Sequence, residues 1–303
     1  MSAPNPTRFD IEGISLAARI AGERHRPAVL LLHGSPSSSR TFRYVIDPLA
    51  REHFVIAPDL PGYGDSEPLE PTSFARFADV IEALLGRLGV DSFHVYLHDF
   101  GAPVGLHLAT RAPDRIRGLI IQNANAHESG LGPAWADTRA FWENPTPERE
   151  AVAITHLNLE GTRKVYVEGV PPDITECMDP RQWEEDWRIM ALPGRREKER
   201  ALVLDYRNHV ARFPEIAEYL KSRQPPALML WARHDIFFDL DETLSWMKAL
   251  PRMEAHILDG GHSLLETHAA QCTALMSAFL ACVEEGRHAA AAPRSNAERG
   301  GCS

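Results

Sequence analysis

In the stretch Leu97-His98-Asp99-Phe100-Gly101-Ala102-Pro103, an aspartate stands where an apolar run, residues 93–97, gives way to a helix-like segment from Pro103 onward. When such a strand-to-helix point is sharp and set at the top of a parallel sheet, it exposes one side chain for nucleophilic attack. A serine at that point needs a neighbouring base. A carboxylate does not: it is ionised near neutral pH and can attack saturated carbon directly, leaving an alkyl ester on the protein. The same residue has a plainer use, because aspartate before a helix is a favoured N-cap and Pro103 suits the first helical turn. Partners elsewhere in the chain must separate the two uses.

The elements around Asp99 alternate between strand and helix. Residues 9–11 and 14–20, joined at Glu12-Gly13, read as an opening hairpin. Runs 28–32 and 53–57 have the pattern of strands covered on both faces, with a helix expected over 41–49 between them. Phe74, Phe77, Val80, Ile81, Leu84, Leu85 and Leu88 recur at helical spacing and predict an amphipathic helix ending near Gly89. After the 93–97 strand come a helix over 103–111, a strand over 116–122 and, much later, a strand over 227–231. A helix over 240–250, a strand over 255–258 and a final helix over 264–283 complete the pattern. This alternation predicts an α/β fold with a mostly parallel sheet flanked by helices.

Residues 125–224 break the rhythm, offering helical patterns but no convincing strand. They carry Trp135, Trp142, Trp183, Trp187, Tyr166 and Tyr206, and they return to the sheet through Pro225-Pro226. In an open α/β sheet, ligands sit outside the carboxyl ends of the strands. The insertion leaves from and returns to that edge, so a helical cap over the site is expected. The expected organisation is therefore a core over 1–124, a helical cap over 125–224, a second part of the core over 225–285, and an Ala- and Gly-rich disordered tail over 286–303.

Composition narrows the class. The 303 residues, 44% hydrophobic and 24% charged, suffice for a sizeable core. A formal net charge of -10 argues against a nucleic-acid partner, which wants a basic stripe. No segment is long enough to span a bilayer, and the start of the chain has neither a basic flank nor an apolar run, so a cytoplasmic protein without a membrane partner is expected. Cys177, Cys272, Cys282 and Cys302 lack metal-ligand spacing and are expected as free thiols, and the 14 histidines form no His-Glu-x-x-His pair. Neither a metal nor a cofactor is expected.

Five motifs now fall in order, each after a strand: His33-Gly34-Ser35-Pro36, Asp59-Leu60-Pro61-Gly62-Tyr63-Gly64-Asp65-Ser66, His98-Asp99-Phe100-Gly101, Trp231-Ala232-Arg233-His234-Asp235 and Asp259-Gly260-Gly261-His262. In this respect the chain resembles the α/β-hydrolases, specifically the aspartate-nucleophile branch that holds epoxide hydrolases and haloalkane dehalogenases. The resemblance runs from Phe9 to Val283. It implies Asp99 as nucleophile, Asp235 as orienting acid and His262 as base. Because an ionised carboxylate has no proton to give up, His262 would act only in the second step, deprotonating the water that hydrolyses the ester. Asp239, Asp241 and Asp259 lie near Asp235, and some dehalogenases place the acid after the sixth strand; here that region has neutral Gln122, Asn123 and Asn125, which favours Asp235. The resemblance also assigns the oxyanion hole to the backbone N–H groups of Ser35 and Phe100.

The leaving group divides the branch. Similar dehalogenases bind halide with an indole N–H immediately after the nucleophile and a second Trp or Asn donor, whereas Phe100 has no such N–H and Ser35 stands where Asn is frequent. Similar epoxide hydrolases protonate the opened ring with two tyrosines of the cap. Asp205-Tyr206-Arg207-Asn208 resembles the second of these motifs, and Tyr166 is the candidate for the first. Leu97 departs from the pattern, since many epoxide hydrolases have glycine two positions before the nucleophile. The resemblance thus implies an epoxide hydrolase acting with water on a small apolar or amphipathic epoxide. A haloalkane dehalogenase using the same three residues is the alternative, and a non-catalytic ligand-binding protein of the same fold is a third.

Overall fold

The apolar runs pair into one sheet. The chain is described by a computed structural model over residues 4–155 and 157–291. Strands β1 (Thr7–Ile11), β2 (Ile14–Ala21), β3 (Ala28–Leu32), β4 (Phe54–Pro58), β5 (Phe93–His98), β6 (Ile116–Gln122), β7 (Ala227–Ala232) and β8 (Glu254–Leu258) form an 8-stranded sheet in the order β1-β2-β4-β3-β5-β6-β7-β8. The β1–β2 and β2–β4 pairs are antiparallel, and the pairs from β4 to β8 are parallel. Glu12 and Gly13 turn the hairpin with φ of 52° and 80°, the left-handed conformation that two-residue hairpin turns favour.

Strand alternation builds a core on each face. Leu30 and Leu32 of β3 join Val95 and Leu97 of β5 on one side, and Val29 and Leu31 join Tyr96 on the other. Helices α1 (Ile46–Leu49), α2 (Phe74–Leu88), α3 (Gly101–Arg111), α11 (Asp241–Ala249) and α12 (Ala269–Ala291) belong to this layered part. α2 follows the expected heptad-like stripe; Ser73 caps it by accepting the Arg76 N–H, and Gly89 ends it at φ 72°.

Between β6 and β7 lie α4 (Ala136–Glu143), α5 (Pro147–Ala153), α6 (Leu159–Val167), α7 (Pro172–Thr175), α8 (Arg181–Met190), α9 (Arg195–Ala211) and α10 (Phe213–Arg223), and among the described residues this span has no strand. Two expectations are corrected. The helix over 41–49 is broken into a 3-10 turn, Ser39–Phe42, and the single turn α1. Pro48 has no N–H and clashes with the preceding turn of a continuous helix, so helix can only restart just before it. The final helix over 264–283 is likewise divided into a 3-10 turn, Leu264–Glu266, and α12, which continues to Ala291, inside the span expected as a disordered tail. Cys177, Cys272 and Cys282 are free; Cys302 lies outside the described residues. Among the described residues, no helix is long and apolar enough to cross a membrane and no cluster of three His, Cys, Asp or Glu could hold a metal.

Candidate active site

Asp99 occupies a strained point that its surroundings enforce. It has φ 47°, unusual for a residue with a Cβ, between the end of β5 and the start of α3. Two glycines make the turn possible. A Cβ on Gly101 would fall 2.6 Å from the Leu32 carbonyl oxygen, and one on Gly34 would fall 2.4 Å from the Asp99 Cβ. No side chain caps α3. The Asp99 carboxylate instead accepts the Ser35 N–H at 2.7 Å on Oδ1, and the Phe100 N–H is also directed at it. The two expected oxyanion donors thus converge on one carboxyl group. Burial pushes the Asp99 pKa up to about 6 despite these donors and the nearby His262, and the negative charge of Glu199 adds to the rise. The His33 ring steadies the Ser35 loop, since its Nε2 accepts the Leu60 N–H at 2.9 Å.

His262 and Asp235 reach the same place from the loops after β8 and β7. His262 Nδ1 lies 2.8 Å from Asp235 Oδ2, and Asp235 Oδ1 accepts the Phe237 N–H at 2.8 Å. His262 Nε2 therefore faces Asp99, 4.0 Å from Oδ2. Burial opposes the His262 cation, but the Asp235 carboxylate outweighs it and the pKa is raised. The ring is held between Phe238, stacked at 5.7 Å, and His98, at 4.7 Å. The region after β6 has a different use: Asn123 accepts the Ala232 N–H and donates to its carbonyl, tying β6 to β7.

A cavity of about 230 Å³ opens above Asp99, lined among others by Ser35, Phe100, Trp135, Tyr206 and His262. Tyr206, on α9, is 1% exposed and packs against Trp135, Trp142 and Phe100. Its hydroxyl lies beside the Asn125 side-chain amide, and among the described residues neither group makes a hydrogen bond of good geometry. Burial, then the negative charge of Asp99, drives its pKa well above the ordinary value against the lowering influence of the Asn125 amide, so the phenol keeps its proton. The nearby indoles are occupied: Trp135 donates to the Phe237 carbonyl at 2.6 Å and Trp142 to that of Val203 at 2.7 Å.

Tyr166 is placed differently from the expectation. Its hydroxyl donates to Asp186 Oδ2, and Asp186 is also paired with Arg40 at 2.6 Å. The residue lines a small recess beside His262 and does not line the main cavity. A phenol committed to a buried, ion-paired carboxylate is not free to protonate a substrate, so Tyr166 is withdrawn from the candidate catalytic set.

With this arrangement in view, the likeness to known proteins becomes informative. Residues 27–269 match the family model described as the alpha/beta hydrolase fold. The chain belongs to that family. A hydrolase of Saccharomyces cerevisiae, described as uncharacterized, is 34% identical over 263 residues, covering 85% of this chain and 90% of the relative. Among solved structures, the haloalkane dehalogenase DbeA from Bradyrhizobium elkani superposes with a TM-score of 0.74 at 23% identity, over 93% of this chain and 99% of that one. The epoxide hydrolase CorEH superposes with a TM-score of 0.75 at 22% identity, over 92% of this chain and 99% of that one. At these identities the two structures establish the shared fold.

This α/β hydrolase also holds a polar group that the motifs did not single out. Glu199, at the start of α9, lines the cavity and is 1% exposed. It accepts the Ser35 hydroxyl at 2.5 Å, the Tyr63 hydroxyl at 2.6 Å and the Lys198 ammonium at 2.9 Å. In sequence it is hidden in a run of charges, Arg195-Arg196-Glu197-Lys198-Glu199-Arg200, which reads as a solvated helix surface. The signal that could have found it is spacing: Glu199, Leu202, Val203 and Tyr206 share one face of a helix, and all four are buried.

Proposed function

We propose that this hydrolase opens a small epoxide to a diol through an alkyl ester on Asp99. Oδ2 attacks the less hindered ring carbon while the Tyr206 hydroxyl donates a hydrogen bond to the oxygen leaving that carbon. Oδ1, already bound to the Ser35 N–H, becomes the ester carbonyl oxygen. His262 then takes a proton from water, the resulting hydroxide adds to the ester carbon, and the Ser35 and Phe100 N–H groups hold the oxyanion. Asp235 keeps the imidazole in the tautomer that leaves Nε2 free to accept and stabilises the cation it becomes.

The observation that carries the leaving-group assignment is the Tyr206 hydroxyl, buried at the cavity wall, protonated and, among the described residues, with the Asn125 amide beside it but no well-formed hydrogen bond. Unpaired buried hydroxyls are costly, and a ligand that accepts from one recovers the cost. Carbon–halogen cleavage would instead need donors for halide; Phe100 has none, and the indole N–H groups of Trp135 and Trp142 are spent on backbone carbonyls. These observations favour the epoxide reading over the dehalogenase reading.

The test is a single turnover of styrene oxide in heavy-oxygen water, with excess protein, beside a brominated alkane. The proposal expects diol whose added oxygen is unlabelled, label entering Asp99, and little bromide release. Labelled first-turnover diol would exclude the ester, and bromide release without diol would reassign the leaving group.

A further inference from the structure

Burial of a lysine–glutamate pair beside a reacting carboxylate needs an explanation that ester chemistry alone does not supply. Lys198 and Glu199 are each 1% exposed. The Lys198 stem packs on Gly62, where an added Cβ would come within 3.1 Å of it, and its ammonium lies 3.0 Å from the centroid of the Tyr63 ring. Glu199 joins this cation to Ser35, whose backbone N–H is bonded to Asp99 and which, like Glu199, lines the same cavity. A buried ion pair is weak support for stability, because desolvation offsets much of the attraction.

We propose that Lys198, Glu199 and Ser35 form a proton-delivery chain to the oxygen that leaves carbon when Asp99 attacks, acting with Tyr206. This rests on the epoxide reading, since an alkoxide needs a proton and a halide does not. As the ring carbon–oxygen bond breaks, the Ser35 hydroxyl turns from Glu199 to the alkoxide and gives it the Oγ proton. Lys198 Nζ gives a proton to Glu199 Oε2, and the carboxylic acid so formed turns about its Cγ–Cδ bond and passes that proton to Oγ. The balance leaves a neutral lysine, an unchanged carboxylate and serine, and a neutral alcohol. Hydrolysis of the ester releases one proton into the site, which restores the lysine cation. Ser35 touches the reacting oxygen; Glu199 and Lys198 act through it.

The electrostatics suit the chain. Burial lowers the Lys198 pKa to about 8 even though Glu199 opposes the change, so the ammonium is charged at neutral pH and able to release a proton. The charged and titratable groups facing the pair are Arg195 on the same helix, Tyr63 from the loop after β4, and Ser35, His33 and Asp99 from the loops after β3 and β5. Burial keeps His33 neutral, with its pKa lowered to about 4, and raises that of Tyr63 well above the ordinary value. Lysine is thus the one group in the cluster poised to give up a proton between pH 7 and 9.

The test uses the His262→Gln protein, in which the Asp99 ester should accumulate, and follows adduct formation by intact mass with styrene oxide and with 1-bromobutane. Ser35→Ala, Glu199→Gln and Lys198→Arg are added singly, each checked by thermal unfolding. Ser35→Ala keeps the oxyanion N–H, and arginine keeps the charge but does not release a proton. The expected result is adduct formation slowed about 10- to 100-fold with the epoxide and less than about 3-fold with the bromide. The parent should also lose epoxide reactivity above about pH 8, a limb absent from Lys198→Arg. Equal slowing with both reagents, or no slowing in folded Ser35→Ala, overturns the chain while leaving the epoxide reading intact. Failure of the parent to form any epoxide adduct overturns both.

Discussion

His262 Nε2 stands 4.0 Å from Asp99 Oδ2, beyond hydrogen-bond reach yet close enough for one water to touch both. That gap is what a base needs if its task is to activate water toward an ester on Asp99. Replacing His262 by Gln should therefore leave alkylation intact and stop hydrolysis, giving a protein heavier by one substrate. Intact-mass spectrometry after epoxide treatment checks this, and an unmodified protein would remove Asp99 from the mechanism.

Tyr206→Phe separates catalysis from stability. Among the described residues the hydroxyl makes no well-formed hydrogen bond, although the Asn125 amide lies beside it, so its removal should leave the melting temperature close to that of the parent. Epoxide turnover should fall by about 10-fold or more, the scale of one hydrogen bond strengthened in the transition state. Turnover of the variant at the wild-type rate would strip Tyr206 of its role.

Tyr166→Phe should do the reverse. It deletes a hydrogen bond to the buried Asp186 carboxylate, at a cost of about 1–3 kcal/mol, while epoxide turnover stays within about 2-fold. Chemical denaturation measures the first quantity and steady-state kinetics the second. A large loss of turnover with unchanged stability would return Tyr166 to the catalytic set.

Asp99 should leave a signature in the pH dependence of folding. Its pKa rises on folding from 3.8 to about 6, so the native state binds this proton more tightly than the unfolded chain does. The stabilisation is complete below the unfolded value and is lost as pH rises through about 6. Asp99→Asn, which cannot ionise, should thus be more stable than the parent at pH 7.5 by roughly 3 kcal/mol, with the difference closing toward acid. Urea unfolding at both pH values reads it. Alkylation in the parent should fall in parallel below about pH 6, as the nucleophile becomes protonated.

Much of this arrangement was legible because loops at strand ends inherit their positions from the strands. Once the apolar runs place β5, β7 and β8 side by side, the loops after them must bring Asp99, Asp235 and His262 to one edge. Side-chain partners within the helical insertion have no such guide. Tyr206 has a tyrosine–arginine motif in its favour and Tyr166 does not, but no sequence feature shows that Asp186, on a separate helix, engages the Tyr166 hydroxyl while the Tyr206 hydroxyl, among the described residues, makes no well-formed hydrogen bond. Glu199 was hidden for a related reason: its immediate neighbours are charged, and the apolar face it shares with Leu202, Val203 and Tyr206 shows only at helical spacing.

Glu199 and Tyr206 come from the same helix, about two turns apart, whereas Asp99, Asp235 and His262 come from three separate strand ends. A single residue added to the first turn of α9 would rotate everything after it by about 100°. Both polar groups would leave the cavity wall together, and the sheet-borne trio would stay in place. A one-residue insertion would therefore separate what α9 contributes to the cavity from what the strand ends contribute.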